Sequence, residues 1–355
     1  MTLGPLARRL ADAIRRDGPV PVSRYMEAAL SDPDHGYYTT RDPLGAAGDF
    51  TTAPEISQMF GELIGLWAAV VWQAMGAPDR VVLVELGPGR GTLMADLLRA
   101  AATMPAFLAA IDSWLVETSP VLRDRQRETL ADRAVHWADR IEDVPDGPAL
   151  IVANEFFDAL PIDQYIRMGG VWRERRVDLG ADGGFVFVAG PEVPAPATGL
   201  PDGAIVETCP EGRRLAALMG RRLARSGGAA LIVDYGSAAG GSGDTLQAVR
   251  RHRFHPALDD PGEADLTAHV DFAALATAAA PAKAWGPVGQ GDFLRALGIE
   301  TRAALLAKGQ PPARAADIKS GMRRLIDAAE MGTLFKVMGM AHPALAEPPG
   351  FSFLP

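Results

Sequence analysis

One short segment of the chain has the residue types of a cofactor-binding loop. Residues 85–91 read Glu-Leu-Gly-Pro-Gly-Arg-Gly, between an apolar run at 81–84 and a helical pattern that starts at Thr92. Glycine permits a positive φ and leaves room for a ligand beside the backbone. The free N–H groups and positive dipole end of a helix start attract anions. We therefore expect Gly87, Gly89, Gly91 and Thr92 to hold an anionic part of a cofactor.

The spacing of these glycines bears on the identity of the cofactor. The pattern is Gly-x-Gly-x-Gly, whereas dinucleotide folds use Gly-x-Gly-x-x-Gly. Glu85 stands two places before the first glycine, where its carboxylate can reach an ammonium group directly or through water. The methionine part of S-adenosylmethionine carries both a carboxylate and an ammonium. The loop therefore favours S-adenosylmethionine over a nicotinamide dinucleotide.

Two further polar segments follow later apolar runs. Glu117 closes the run 113–117, and a carboxylate at the end of a second strand accepts hydrogen bonds from ribose hydroxyls. Residues 154–161, Asn-Glu-Phe-Phe-Asp-Ala-Leu-Pro, follow the run 150–153. Ligands of doubly wound sheets bind at this carboxyl edge. We expect Asn154 to contact the cofactor. Each segment alone is also compatible with a tight turn, a helix cap or a surface acid.

Alternating strand and helix patterns position these residues. Apolar runs near 81–85, 113–117, 135–137, 150–153 and 229–234 alternate with helical patterns near 92–101, 121–130 and 211–225. Such alternation predicts an α/β fold with a parallel, doubly wound sheet. The predicted class is therefore a class I S-adenosylmethionine-dependent methyltransferase, with a Rossmann-like, mostly parallel seven-stranded sheet.

The remaining segments predict additions to this sheet. Residues 1–78 are expected to form an N-terminal helical extension and lid, with one helix from Pro54 to about Met75. Residues 79–355 would form the Rossmann-like domain, with substrate-side insertions at about 162–203 and 236–282. The first insertion contains an expected antiparallel hairpin, with arms at 171–175 and 185–188. The stretch 236–271 is expected to be mostly loop, and residues 313–330 to be helical.

A polar cluster precedes the first strand. Asp49, Thr51, Thr52 and Glu55 lie beside Phe50 and Pro54. Such a group forms an ordinary turn and helix cap, or it folds over the cofactor as part of a lid. Our hypothesis is the lid, with Asp49 and Thr52 in contact with the cofactor.

Composition excludes several other classes. The net charge of −9 argues against a binder of nucleic-acid backbones, and no apolar run reaches the ~18–20 residues of a membrane span. The single cysteine, Cys209, excludes an internal disulfide framework and a cysteine-cluster metal site. The histidines show no recognisable ligand spacing, so we expect no metal. A cytoplasmic location is the expectation from these features.

Seven segments spread along the chain resemble the MidA-like family of methyltransferases. They begin with Asp32–Tyr38, Gly48–Ser57 and Glu85–Thr92 and continue with Asn154–Pro161, Asp234–Gly236, Asp265–Phe272 and Gly291–Leu294. The one local departure is the stretch 191–201, rich in proline and alanine. Mitochondrial members are assembly factors of respiratory complex I that symmetrically dimethylate an arginine of a complex I subunit. The resemblance implies a methyltransferase whose partner is a protein substrate, with a complex I subunit as one candidate. A homodimer is a candidate oligomeric state.

An arginine acceptor would need carboxylates. The pKa of a guanidinium is above about 12, so the group is protonated at neutral pH. Carboxylates must then orient it and spread its charge. Glu155 is the first candidate for this role and Asp158 the second. His269 with Asp271, or Asp234, would supply a second contact or accept the proton. A lone histidine is also compatible with a structural hydrogen bond, and Asp234 with the capping of a turn at Gly236.

Three alternatives remain open from the sequence. One is a nicotinamide-dependent oxidoreductase on a related fold, which the glycine spacing disfavours. Another is a non-catalytic scaffold that assembles a respiratory complex, although the acidic and glycine positions of the loop are intact. The third is a methyltransferase for small molecules or nucleic acids, although the Asn154–Phe157 segment lacks the two prolines of amino-methylating DNA enzymes.

Overall fold

The computed structural model describes residues 3–43 and 51–352. Within these two ranges, no helix is both long enough and apolar enough to cross a membrane. The described residues form sixteen strands, β1 to β16 in chain order: Val20–Pro21, Val81–Leu86, Ile111–Val116, Val135–Ala138, Ala149–Asn154, Asp163–Met168, Val171–Leu179, Phe185–Val193, Ile205–Thr208, Gly228–Ser237, Gln247–Arg250, Arg253–His255, Asp265–Thr267, Val270–Asp271, Lys283–Gly289 and Phe335–Ala341.

Fourteen α-helices connect these strands in the described part of the chain. They are α1 to α14 in chain order: Pro5–Asp17, Val22–Ser31, Tyr37–Thr40, Ala53–Ile56, Gln58–Ala74, Thr92–Ala101, Pro105–Ala110, Pro120–Thr129, Pro210–Ser226, Phe272–Ala278, Gln290–Ala296, Ile299–Ala307, Pro312–Ile326 and Met331–Leu334. A short 3₁₀ helix covers Ile141–Asp143.

The central sheet has seven strands in the order β4-β3-β2-β5-β10-β16-β15. Strands β2, β3, β4, β5 and β10 are parallel, and β16 runs antiparallel between β10 and β15. The two-residue β14 adds to the end of β10. The mostly parallel α/β sheet predicted from the alternation is thus confirmed.

Helices cover both faces of this sheet, so its inner strands β2, β5 and β10 are mostly apolar and buried along most of their length. Val81 and Leu83 of β2 pack on the side of α5 and α6, while Val82 and Val84 pack on the side of α9. All six residues of β2 are buried. A strand buried on both faces cannot shift its register without exposing apolar surface, which fixes the positions of the strand ends.

A second layer lies beside the sheet and contains its own core. Strands β6 to β9 and β1 form an antiparallel sheet in which β7 and β8 pair as a hairpin, as the sequence predicted. Helices α1 and α2 pack against it through Leu10, Tyr25 and Met26, together with Val177 of β7. The N-terminal helices are therefore anchored to the inserted sheet.

Three predictions about secondary structure are wrong in detail. The helix expected from Pro54 to about Met75 is two helices, because Ser57 is extended and its hydroxyl accepts the N–H of Met59, 3.2 Å away. The stretch expected to be mostly loop contains the small sheet β12-β11-β13. The helix expected at 313–330 ends at Ile326, and α14 forms a separate helical turn that begins at Met331.

The additions to the sheet start from one edge. The connections from β5 to α9, from β10 to β14 and from β15 to β16 all leave the carboxyl ends of parallel strands. The last of these, which contains α11 to α14, was not predicted as an insertion. Together with the N-terminal helices, these connections wall the edge at which α/β sheets bind ligands.

Candidate active site

The glycine-rich loop connects β2 to α6, and its backbone requires glycine. Gly87, Gly89 and Gly91 have φ values of 60°, 52° and 81°, in the left-handed region. A Cβ on Gly87 would lie 2.7 Å from Cδ2 of Phe156, so a side chain there would displace the ring. Gly91 is the residue before the first turn of α6 and has no side chain to cap it, while the N–H of Met94 in that turn donates to the Glu85 carboxylate.

A cavity of about 260 Å³ lies over this loop. Its wall includes Glu85, Gly87, Gly89, Thr92, Glu117, Asn154 and Glu155, seven of the residues expected at the site. A neighbouring cavity of about 330 Å³ shares Gly87, Glu117, Thr118, Phe156 and Leu160 with it. The two adjoining cavities provide the elongated space that a nucleoside joined to an amino acid requires.

Two buried oxygens in the first cavity fit an ammonium group. Among the described residues, Oε2 of Glu85 and Oδ1 of Asn154 are buried without a hydrogen-bond partner. Burial raises the pKa of Glu85 well above its ordinary value, and the charge of Glu117 raises it further. A buried acceptor without a donor is costly. An ammonium from the cofactor would supply donors to both oxygens, so the residues present fit S-adenosylmethionine.

Glu117 directly follows β3 and lines both cavities. Its Oε1 accepts the N–H of Ser119 at 2.8 Å, and its Oε2 accepts Nε2 of Gln126 at 3.2 Å. Burial raises the pKa of Glu117, while these hydrogen bonds oppose the rise. A carboxylate fixed in this way can accept hydrogen bonds from ribose hydroxyls.

Gln126 is a site residue that sequence reasoning missed. It is completely buried, and its Nε2 also donates to the carbonyl of Gly89 at 2.7 Å. Its Oε1 accepts the indole N–H of Trp137 at 2.9 Å. Gln126 thus ties the glycine loop to Glu117. The signal was a polar residue in the helix that follows Glu117, which is too common a feature to single out.

Glu155 follows β5 and lies in the cavity wall. Its φ is +49°, an uncommon value for a residue with a side chain. Its Oε1 accepts the N–H of Ala53 at 2.9 Å and Nδ2 of Asn154 at 3.1 Å. Burial raises the pKa of Glu155 to about 7, with a further contribution from Asp158. Glu155 can therefore change protonation state near neutral pH.

Asp158 lies in the same turn but lines neither cavity. Its carboxylate accepts the hydroxyl of Tyr235, and its main-chain carbonyl accepts the N–H of Ala268 at 2.9 Å. Burial raises the pKa of Asp158 to about 6. The residue connects the turn after β5 to the segments around Tyr235 and Ala268.

His269 and Asp271 lie away from both cavities, in the wall of a separate small one of about 20 Å³. Oδ1 of Asp271 accepts the N–H of Ala274 at 2.9 Å and caps α10. His269 donates its main-chain N–H to Oγ1 of Thr245 and places its ring edge against Tyr235. The structure therefore does not bring these two residues together with Glu155, because Asp271 caps α10 and His269 contacts Thr245 and Tyr235.

The expected lid residues divide between described and undescribed parts of the chain. Asp49 lies outside the described residues, and its expected contact with the cofactor stays a prediction. Thr52 precedes α4 and lines the cavity. Pro54 and Glu55, which lie in α4, also line it. Oε1 of Glu55 accepts the hydroxyl of Thr92 at 2.5 Å, which joins α4 to the start of α6.

Tyr38 is a second cavity residue that the sequence did not single out. Its hydroxyl donates to Oδ1 of Asp265 at 2.9 Å, and its carbonyl accepts the hydroxyl of Ser119 at 2.6 Å. It thereby links the N-terminal helices to the loop after Glu117. Its signal was its membership in the Asp32–Tyr38 motif, which by itself assigned no role to the ring.

The cavity wall is acidic. Among the described residues it contains four glutamates and one cation, namely Glu55, Glu85, Glu117, Glu155 and Arg90. Nε of Arg90 lies 2.9 Å from Oδ2 of Asp42, so its charge is paired. In residues 3–43 and 51–352, no three acidic, histidine or cysteine side chains are grouped in a way that could hold a metal ion. The site is thus built to receive positively charged groups.

Comparison with known proteins places this geometry in a family. Residues 63–289 match the family described as "Putative S-adenosyl-L-methionine-dependent methyltransferase". Protein arginine methyltransferase NDUFAF7 of Mus musculus is 39% identical over 93% of this chain and 83% of that protein. The Drosophila melanogaster homologue is 38% identical over 97% of this chain and 86% of that protein.

A solved structure supports the same assignment. A Burkholderia thailandensis protein crystallised with S-adenosyl-homocysteine is 31% identical to this chain, with a TM-score of 0.83. The match covers 99% of this chain and 96% of that one.

The relatives also correct one expectation. The Drosophila melanogaster, Mus musculus and Homo sapiens proteins are all named mitochondrial, so the expected cytoplasmic location is wrong. A single cysteine excludes internal disulfides, but it does not distinguish one compartment from another.

The loop, the acidic cavity and the matches along nearly the whole chain lead to one conclusion: this protein is an S-adenosylmethionine-dependent methyltransferase of the family that includes the NDUFAF7 proteins.

Proposed function

We propose that the chain transfers methyl groups to the guanidinium of an arginine in a protein substrate. The observation that carries this proposal is the position of Glu155, a buried carboxyl in the cavity wall with a pKa of about 7. Relatives of the chain are named protein arginine methyltransferases, which supports an arginine as the acceptor. The role of Glu155 is to orient the guanidinium and to hold part of its charge.

The electrostatics of the wall support a cationic acceptor. Glu55 lies on α4, and Glu155 follows β5. The N–H of Ala53 in α4 donates to the Glu155 carboxylate and so joins the two segments. A guanidinium forms paired hydrogen bonds with carboxylates in a fixed geometry. Phe156 and Leu160 give the wall apolar surface, which excludes water and strengthens these charge interactions.

The chemistry places one demand on the chain besides alignment. When bound, S-adenosylmethionine would supply a methyl group activated by its sulfonium, for in-line displacement with inversion at the methyl carbon and the thioether as leaving group. The new nitrogen–carbon bond forms as the sulfur–carbon bond breaks, and the nitrogen then loses a proton. Glu155, ionised and hydrogen-bonded to the nitrogen, accepts that proton in this proposal. Because Asp158 contacts neither cavity, we assign it to support of the turn.

Further features of the site follow as parts of the proposal. Glu85 and Asn154 bind the cofactor ammonium, Gly87 to Thr92 its carboxylate, and Glu117 its ribose. A complex I subunit is the candidate partner that the family resemblance implies. The charge of −9 and the acidic cavity support the exclusion of nucleic acids. A homodimer is the proposed oligomeric state, supported by Leu66 and Val70, which lie one turn apart on α5 and are each 45% exposed.

The test is to identify the methylated product. The protein is incubated with S-adenosylmethionine labelled in the methyl group and with lysate from a deletion strain, and the labelled protein is hydrolysed. We expect label in methylated arginine. Label in lysine, RNA or small molecules would contradict the proposal. The Glu155→Gln variant, tested in parallel, is expected to bind S-adenosylmethionine and to transfer no measurable label.

A further inference from the structure

Asp234 makes an unusual set of contacts at the base of the site. It lies in β10, its side chain is completely buried, and it lines neither of the two cavities. Its Oδ2 accepts three main-chain N–H groups, from Phe156 at 3.2 Å, Phe157 at 2.9 Å and Asp158 at 3.2 Å. Its Oδ1 accepts the N–H of Tyr235 at 2.9 Å. One carboxylate thus binds three consecutive amides of the turn after β5.

These contacts bear directly on Glu155. The N–H of Glu155 donates to the carbonyl of Val233 at 2.8 Å, so β10 also holds the residue that begins the turn. Glu155 has a φ of +49°, which is unfavourable for a residue with a Cβ and persists only where its surroundings impose it. The carbonyl of Val233 accepts the amide of residue 155, and the carboxylate of Asp234 accepts those of residues 156–158. These four consecutive hydrogen bonds impose the conformation of Glu155.

The conformation of residues 155–158 determines two features of the cavity. The positive φ directs the Glu155 carboxylate towards the N–H of Ala53 and the cavity wall. It also places Phe156 against Gly87, where a Cβ would lie 2.7 Å from the ring. A loss of the bonds to Asp234 would free the amides of residues 156–158 and release the conformation of Glu155.

We propose that Asp234 is a positioning residue for methyl transfer, which holds the turn 155–158 so that the Glu155 carboxylate faces the acceptor. This inference rests on the proposed role of Glu155. Asp234 touches neither cavity, so it acts through the turn and not on the substrate. An amide at position 234 keeps the size of the side chain but replaces one oxygen by a donor, which faces the N–H of Tyr235 or those of the turn.

The experiment compares Asp234→Asn with a matched variant, Glu207→Gln. Glu207 lies in β9 and also binds main-chain amides, those of Thr245 at 3.0 Å and Leu246 at 3.3 Å, but it lines neither cavity. For each variant kcat and KM for a protein or peptide acceptor, the Kd for S-adenosylmethionine and the melting temperature are measured. Both variants are expected to melt below the wild type.

The two variants should differ in catalysis. We expect Asp234→Asn to lower kcat by about 10²-fold, the scale expected when a reacting group is misplaced by about 1 Å, while the cofactor Kd changes far less. Glu207→Gln is expected to keep the wild-type kcat. Equal kcat values in the two variants would overturn the inference, as would a loss confined to cofactor affinity. If Asp234→Asn does not fold, Asp234→Ser is measured at lower temperature, with the same expectation and the same contradiction.

Glu155→Gln separates this inference from the proposed function. If Glu155→Gln is inactive and Asp234→Asn has the kcat of Glu207→Gln, Asp234 does not position the turn and the proposed role of Glu155 stands. If Glu155→Gln keeps the wild-type kcat, the proposed role of Glu155 is wrong, and the inference about Asp234 fails with it.

Discussion

The two sides of the candidate active site are built in different ways. On the cofactor side, Glu85, Gly87, Gly89, Gly91 and Thr92 come from one strand, loop and helix within eight consecutive residues. On the proposed acceptor side, Glu155 depends on Ala53, 102 positions earlier, and the turn that it starts depends on Asp234, 76 to 78 positions later. The first side is local in sequence, and the second exists only once the sheet has formed.

This difference predicts how each side fails. A change in the loop alters backbone geometry directly and should weaken cofactor binding. A change on the acceptor side should leave the loop intact and reduce the rate of transfer. The comparison can therefore be broken by any variant that moves both quantities equally.

The largest effect is expected for Glu155→Gln. Loss of a positioned general base lowers the rate by roughly 10²- to 10⁴-fold, because the amide cannot accept the proton from the methylated nitrogen. The Kd for S-adenosylmethionine, measured by calorimetry, should change little. A variant that loses cofactor affinity in proportion to its rate would place Glu155 on the cofactor side and contradict the comparison.

Gly87→Ala should produce the opposite pattern. Its Cβ would meet the Phe156 ring at 2.7 Å and its φ is +60°, so an overpacking cost of about 1–3 kcal/mol is expected, which is a loss of roughly 5- to 150-fold in cofactor affinity. Gly170→Ala is the matched control, since Gly170 has a φ of +82° but open space around its Cβ. It has the backbone cost without the clash. Equal cofactor affinities in both variants would show that the clash with Phe156 has no consequence.

The pH dependence of methyl transfer tests the role of Glu155 on the proposed acceptor side. Because burial raises the pKa of Glu155 to about 7 in the free enzyme and the ionised form is required, kcat/KM should rise with pH up to about 7 and then level off. Below that value it should fall about tenfold per pH unit. The same profile measured for Asp234→Asn at its lower rate should still have an acid limb. A wild-type kcat/KM that does not change between pH 5 and 8 would contradict the assignment of Glu155.

The smallest effect is expected in stability. Glu155 has a pKa of about 7 in the folded protein against an ordinary value of 4.5, so the folded state binds its proton more tightly than the unfolded state. The stability that this proton contributes is complete below about pH 4.5 and is lost as the pH rises through about 7. Glu155→Gln removes this loss. Unfolding by denaturant at pH 5 and pH 8 should show the variant gaining stability relative to the wild type at the higher pH, and a constant difference would contradict the shift.

The local fold of the cofactor side could be predicted from the sequence, because it depends on neighbouring residues. Helix α6 begins at Thr92 as expected, and the three glycines have the positive φ that their type suggests. Glu117 directly follows the second strand of the α/β unit, which ends one residue earlier than the sequence pattern predicted. An apolar run, a glycine loop and a helix start are each specified by neighbouring residues.

The acceptor side was predicted less completely. The sequence singled out Glu155, but it also grouped His269 and Asp271 with it; both lie away from the cavity, where Asp271 caps α10 and His269 contacts Thr245 and Tyr235. It offered Asp234 as a second contact or a cap at Gly236, whereas the carboxylate binds the turn after β5. The break at Ser57, which makes α4 a separate helix beside Glu155, was not expected. Each of these depends on which segments meet.

By itself, the sequence determined the α/β fold, the cofactor loop and the acidic character of the site. These follow from residue type and from spacing within single strands, loops and helices. Only the tertiary structure decided that Glu155 faces the cavity with a positive φ, that Asp234 binds its turn, that Tyr38 joins the wall, and that Gln126 ties the glycine loop to Glu117. The physical reason is that parallel pairing of β5 with β10 brings together two strand ends that are far apart in the chain. No pattern of neighbouring residues records which amides a buried carboxylate will meet there.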